Sequence, residues 1–184
     1  QAKRNPKLTK DERKRQVRDW CTFYRRNWNI YARSRLGINL KPFQEIMLYF
    51  LGISNVFYMM CGRGLSKTFM SALAAFIKCL LYPHSEVVLT ATTIKTAKKM
   101  VKEKMEGELC GRFSPVLHWM YINGLIKFSY NEEEIKVDFV FNGSWIKVLP
   151  QVDSSRGERS NMLVFEEARL LKKAMVDSVF LPMR

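Results

Sequence analysis

The stretch Met60-Cys61-Gly62-Arg63-Gly64-Leu65-Ser66-Lys67-Thr68 decides how this chain folds. Immediately upstream, Asn55-Val56-Phe57-Tyr58-Met59-Met60 is a short apolar run rich in β-branched and aromatic residues, which reads as a buried parallel strand. Downstream, residues 69–81 contain neither Gly nor Pro and are apolar on nearly every face, as in a helix buried against a sheet. Strand, glycine-bearing turn, Lys-Thr and helix is the context in which such a turn binds phosphate. Gly62 and Gly64 take positive φ without steric cost, so backbone N–H groups along Gly62, Arg63, Gly64, Leu65 and Ser66 can approach phosphate oxygens. The helix N-terminus adds its dipole. Lys67 supplies a point charge for the β/γ-phosphates of ATP, and the Thr68 hydroxyl completes a Mg²⁺ shell that keeps several waters. The pattern departs from GxxxxGK[ST] at Cys61 and Ser66, where glycines are usual, so an ordinary strand-to-helix turn with an exposed lysine is the competing reading.

Composition narrows the class. With 184 residues, 47% hydrophobic and 26% charged, the chain matches an ordinary soluble globular domain with a substantial core. Lys and Arg number 31 against 17 Asp and Glu, a formal charge of +14. Up to Arg35 there are twelve basic residues against Asp11, Glu12 and Asp19, so +9 of the excess lies in that segment. Such a surface favours a polyanion, nucleic acid before an acidic membrane, unless it serves only as a solvated face. Cys21, Cys61, Cys79 and Cys110 have no CxxC spacing, and His84 and His118 are far from any cysteine pair, which argues against structural zinc. With no signal peptide and no apolar run of transmembrane length, a reducing, cytosolic setting is expected.

Taken in order, Thr9 and Glu12 predict a capping box that opens a helix running to about residue 34. Trp20, Tyr24, Trp28 and Tyr31 recur at helical spacing with Phe23 beside them, an aromatic face that either packs on the core or docks a protein or DNA. Pro42 opens a helix over residues 45–51. Gln44 carries the donor and acceptor that an adenine edge needs, or is simply a surface residue. Residues 86–91 read as a second strand, and residues 94–109 as a Lys-rich helix with Ala97, Met100, Val101 and Met105 inside. Pro115 and Gly124 interrupt residues 110–130, of which 125–130 read as a strand, and Glu132, Glu133 and Glu134 form a solvated acidic turn. Residues 137–141, Asn142-Gly143 and residues 144–149 predict a hairpin added to a mainly parallel sheet.

A polar loop then leads to Asn161-Met162-Leu163-Val164-Phe165-Glu166-Glu167-Ala168. Glu166, at the strand end, is placed to hold Mg²⁺, usually through water, and Glu167 to orient and polarise an attacking water. The structural alternative is a helix that begins with acids.

These residues together resemble the ATPase domain of the large terminase subunit of tailed bacteriophages, the motor that packages DNA into proheads. The resemblance runs from about residue 40 to residue 170. It rests on the loop from Gly62 to Thr68, the Val88 to Thr92 strand end, Phe141-Asn142-Gly143-Ser144, Arg156-Gly157-Glu158-Arg159-Ser160-Asn161 and the paired acids. It implies an α/β fold: a three-layer, RecA-like P-loop NTPase using ATP and Mg²⁺, with residues 1–39 as a basic helical segment and residues 40–184 as the ATPase core. By resemblance the partners are double-stranded DNA, the portal protein and the small terminase subunit, in a homo-oligomeric ring, in the host cytoplasm and with no membrane. It assigns Gln44 to adenine, Lys67 and Thr68 to phosphate and metal, Glu166 to metal and Glu167 to catalysis. Arg63 or Arg156 would stabilise transition-state charge, with Arg159 a weaker candidate and fold-holding ion pairs the alternative for all three. Glu166 stands where Asp is usual, which favours metal contact through water.

The chain begins at Gln1 and ends at Arg184, before the family's coupling motif and nuclease carboxylates. It is therefore expected to be an N-terminal piece that does not cut DNA. Two rivals share part of the pattern: a superfamily 2 helicase-like ATPase, and a basic nucleic-acid-binding module with a degenerate loop.

Overall fold

Thr9 starts the first helix as expected: its hydroxyl accepts the Glu12 N–H, and the Glu12 carboxylate accepts the Thr9 N–H. The computed structural model describes residues 9–62, 64–91, 93–131, 135–150 and 159–166. Where the sequence predicts one helix there are two, α1 (Lys10–Arg26) and α2 (Trp28–Ser34). They are broken at Asn27, whose side-chain N–H donates back to the Phe23 carbonyl at 2.8 Å and so competes with the helical ladder. Of the aromatic stripe, Tyr24, Trp28 and Tyr31 are buried in the core, while Trp20 and Phe23 stay exposed.

Pro42, with its fixed φ and no N–H to waste, is the first residue of α3 (Pro42–Ile53), which starts earlier and ends later than the sequence indicates. Gly52 allows this: a Cβ there would meet the Trp28 ring at 2.8 Å, so only glycine admits the two helices at this distance.

The next expectation fails. Residues 55–60 form no strand: Val56, Tyr58 and Met60 are exposed, Tyr58 and Met60 at 86% and 98%. A strand needs a neighbour's hydrogen bonds, and this apolar run pairs with none of the described strands.

The helix behind it is as expected. Helix α4 (Lys67–Leu81) is buried on almost all sides, from Phe69 to Ile77 without a break. Its small residues Ala72, Ala74 and Ala75 allow close packing, and Phe76 stacks edge-on against Phe139 at 5.2 Å. Burying one such ring fully contributes ~1.5–3 kcal/mol.

The sheet has five strands in the order β2-β3-β4-β1-β5. Strands β1 (Glu86–Ala91), β4 (Ser144–Pro150) and β5 (Met162–Phe165) are parallel. Strand β3 (Ile135–Phe139) runs against β4, and β2 (Ile126–Tyr130) against β3, so four strands share one direction. The Asn142-Gly143 hairpin is real, with Gly143 at φ 71°. It is not an appendage to the sheet, because β4, its second strand, pairs with β1 in the middle.

Val87 and Leu89 sit beside Ile146 and Val148 on one face, continuous with Val137 and Phe139, and this face carries the core. Helices α4, α5 (Ile94–Lys99) and α6 (Pro115–Ile122) pack their apolar residues into it. Helix α5 continues without a stop as a π-helical segment, Met100–Phe113, beyond the expected end at residue 109. The connection from β1 through these helices to the parallel strand β4 is the crossover such a pairing requires. On the opposite face of β1, Val88 and Thr90 are fully buried as well. No described helix is long and apolar enough to cross a membrane.

Candidate nucleotide-binding site

Two residues before α4 adopt the left-handed conformation, Gly64 at φ 81° and Ser66, the helix N-cap, at φ 56°. Gly64 does so at no cost and has nothing within 4 Å of where a Cβ would stand. Ser66 carries a Cβ in the same region, a strain of about 1–2 kcal/mol that the following helix offsets. These reversals aim the loop at the helix N-terminus, where unpaired N–H groups and the dipole favour an anion.

Lys67 folds back over this loop. Its Nζ donates to the carbonyls of Cys61 and Gly62, both at 2.9 Å, which engages two of its three N–H groups. Thr68, one residue on, turns its hydroxyl to Glu166, donating to Oε1. Glu166 follows the last residue of β5, as the sequence indicates, and its backbone N–H reaches the Thr90 carbonyl at 3.4 Å. The contact therefore joins the first turn of α4 to the ends of two parallel strands. A hydroxyl and a carboxylate are hard oxygen donors and suit Mg²⁺, which takes few protein ligands and keeps its waters. No group of three or more His, Cys, Asp or Glu is poised to hold a metal ion among the described residues, so any magnesium here would draw the rest of its shell from phosphate and water.

Other candidates fall elsewhere. Gln44 is 8% exposed, and its Oε1 accepts the Lys41 N–H at 2.8 Å as part of the start of α3, so half of its amide already serves the helix. Gly62 and Leu65 are exposed on the loop. Arg63, Arg156 and Glu167 lie outside the described residues. Two groups escaped the sequence reading. The Thr90 and Ser160 hydroxyls are buried with no hydrogen-bond partner among the described residues, and Thr90 stands where β1 meets Glu166. Burial of a threonine within a continuous apolar strand was the one available signal.

The Asn142-Gly143-Ser144 turn proves to be structural. Asn142 Nδ2 donates to the Cys79 carbonyl at 2.7 Å, near the end of α4 opposite the turn that holds Gly64 and Ser66. Ser144 Oγ donates to the Tyr82 carbonyl and accepts the Ser85 N–H. The turn thus fixes the C-terminus of α4, at the opposite end from the glycine-bearing turn.

A mostly parallel sheet whose strand ends face a glycine-bearing turn and the N-terminus of a buried helix is compatible with the P-loop ATPase fold. Among solved structures, the chain is similar to the large terminase ATPase domain of Thermus phage P74-26, with a TM-score of 0.61 and 14% sequence identity. The likeness covers 82% of this chain and 62% of that one, and at this identity it establishes the fold. No protein-family model matches the chain, and no curated protein does.

Proposed function

We propose that this chain is the ATP-hydrolysing motor domain of a viral DNA-packaging large terminase subunit, coupling Mg·ATP hydrolysis to translocation of double-stranded DNA into a prohead. The observation that carries the reading is the Thr68–Glu166 contact beneath the Lys67 turn, in a fold like that of a phage terminase ATPase domain. In this reading, Lys67 exchanges its two loop carbonyls for β/γ-phosphate oxygens. Thr68 and Glu166 are the residues that would hold Mg²⁺. Bound magnesium neutralises charge on the phosphates. Glu167 accepts a proton from the attacking water and orients it. Arg63 or Arg156 meets the charge that develops in the transition state, a role worth ~10³–10⁵ in rate. The free N–H₂ of Gln44 reads adenine.

The portal, small subunit and ring assembly belong to the same proposal, as does a place in the host cytoplasm. The test is ATP binding and turnover by wild type and Glu167→Gln. The variant should bind ATP and lose turnover, and equal turnover in both contradicts the assignment.

A further inference from the structure

Helix α1 stands away from the body of the protein over most of its length. Residues 10–20 are exposed without exception, and burial begins only at Tyr24. Packing therefore does not explain what this part of the helix carries.

At 3.6 residues per turn, Arg15, Arg18, Thr22 and Arg26 fall at i, i+3, i+7 and i+11 and share one face of α1, opposite Tyr24. All four are exposed. Among the described residues, none of the three arginines has an ion-pair or hydrogen-bond acceptor. Two acids lie on or beside the same stripe, Asp11 one turn earlier and Asp19 four residues after Arg15, so the three arginines outnumber them. From Arg15 to Arg26 the row extends about 16 Å at 1.5 Å per residue, the length of a few phosphates along a nucleic-acid strand.

The row ends in a groove of about 670 Å³ between α1, the end of α3 and the turn after α4, lined by Thr22, Arg25, Arg26, Tyr49 and Tyr82 among others. Its wall is built. Arg25 donates from Nε and Nη2 to the Leu81 carbonyl, at 3.0 and 2.9 Å, and lies 4.5 Å over the Tyr82 ring. Lys78 covers the same ring at 4.1 Å. These two cations are held in place and keep the groove positive while Arg26 at its rim stays open.

We infer that this face of α1 and the groove it enters form a track for the phosphate backbone of double-stranded DNA, with Arg15, Arg18 and Arg26 as the contacting charges. The choice of duplex DNA rests on the packaging reading; the phosphodiester chemistry rests on the charges alone. Guanidinium groups recognise phosphate bidentately, and a row of them fixes the strand without reading its sequence. The exposed lysines of the helix after β1, Lys95, Lys99 and Lys102, are the competing surface, and one of them is already paired, Lys99 with Glu103 at 3.9 Å.

The test is the affinity of the 184-residue chain for a random-sequence duplex as a function of salt. The combined variant Arg15→Ala, Arg18→Ala, Arg26→Ala should flatten the plot of log K against log salt by about 2.7, at roughly 0.9 for each phosphate no longer neutralised. Replacing the same three by lysine should restore the slope, which a merely structural role would not do. Lys95→Ala, Lys99→Ala, Lys102→Ala should leave it as in wild type. A wild-type slope in the arginine-to-alanine variant, a flattened slope in the lysine replacement, or no duplex binding by wild type overturns the inference. Lys67→Ala should bind duplex normally, so failure of the ATPase reading and failure of this one are separately visible.

Discussion

The Thr68 hydroxyl donates a hydrogen bond to the Glu166 carboxylate across 98 residues of sequence, tying the first turn of α4 to the end of β5. Both residues are half-buried, so neither group has full access to water as a substitute partner. Thr68→Val and Glu166→Gln should each cost about 1–2 kcal/mol in urea denaturation, with a coupling of about 1 kcal/mol in the double variant. Strict additivity of the two substitutions would show that the contact contributes nothing.

Ser66 pays for its position with backbone strain, since φ 56° suits glycine better than serine. Ser66→Gly removes that strain but loosens the unfolded chain, and the two effects are of similar size. Stability should therefore stay level or rise by up to ~1 kcal/mol. Ser66→Val, β-branched in the same conformation, should lose about 1–2 kcal/mol, and thermal denaturation of the two variants side by side reads the difference.

Asn142 ties three stretches of chain together: its amide donates to Cys79, its Oδ1 accepts the Ser144 N–H and its carbonyl accepts the His84 N–H. Asn142→Ala should cost about 1–2 kcal/mol while leaving nucleotide binding intact, because the turn lies at the other end of α4. At Gly143 an added Cβ would stand 2.8 Å from His84 Nδ1 with φ 71°, so Gly143→Ala should also destabilise. An equal loss of nucleotide affinity in Asn142→Ala would contradict the division of labour along α4.

The cysteines separate by burial. Cys79 and Cys110 are wholly buried and Cys21 and Cys61 partly exposed, so a thiol reagent followed by mass spectrometry should label only the latter pair in the native protein. Burial pushes the Cys110 thiol up from 9.0 to about 12, and Cys79 is raised by the same cause. Unfolded thiols ionise first as pH rises. The folded state thus loses stability between pH 9.0 and about 12, and Cys110→Ala should reduce that loss.

Much of this fold is legible in the sequence where local chemistry and tertiary need agree. The Thr9–Glu12 box, Pro42, the apolar helix after Thr68 and the Asn142-Gly143 turn each signal their element through a local interaction, and each is found there. Residues 55–60 mislead because an apolar run states only a preference, while a strand also requires an edge to pair with. Asn27 misleads because the stripe on both sides continues in phase across the break. Pro115 reads as an interruption yet is the first residue of α6, whose N-cap Ser114 accepts the Leu117 N–H at 3.2 Å. At the site, Lys67 and Thr68 are legible from the glycine-bearing turn and the apolar helix after it, although the strand expected before the turn does not form, and Glu166 is legible from its place at the end of a second apolar run. The buried Thr90 hydroxyl does not, since its neighbourhood is made by β5 from far along the chain.

The central claim is that the turn before α4 is a working Mg·ATP site, and thermal stability with and without a non-hydrolysable Mg·ATP analogue tests it most directly. At about a hundred times its dissociation constant the analogue should stabilise wild type by ~2.7 kcal/mol, several degrees for a domain of this size. In Lys67→Ala that shift should vanish. A folded wild type that gains nothing, or a shift of the same size in Lys67→Ala, contradicts the account.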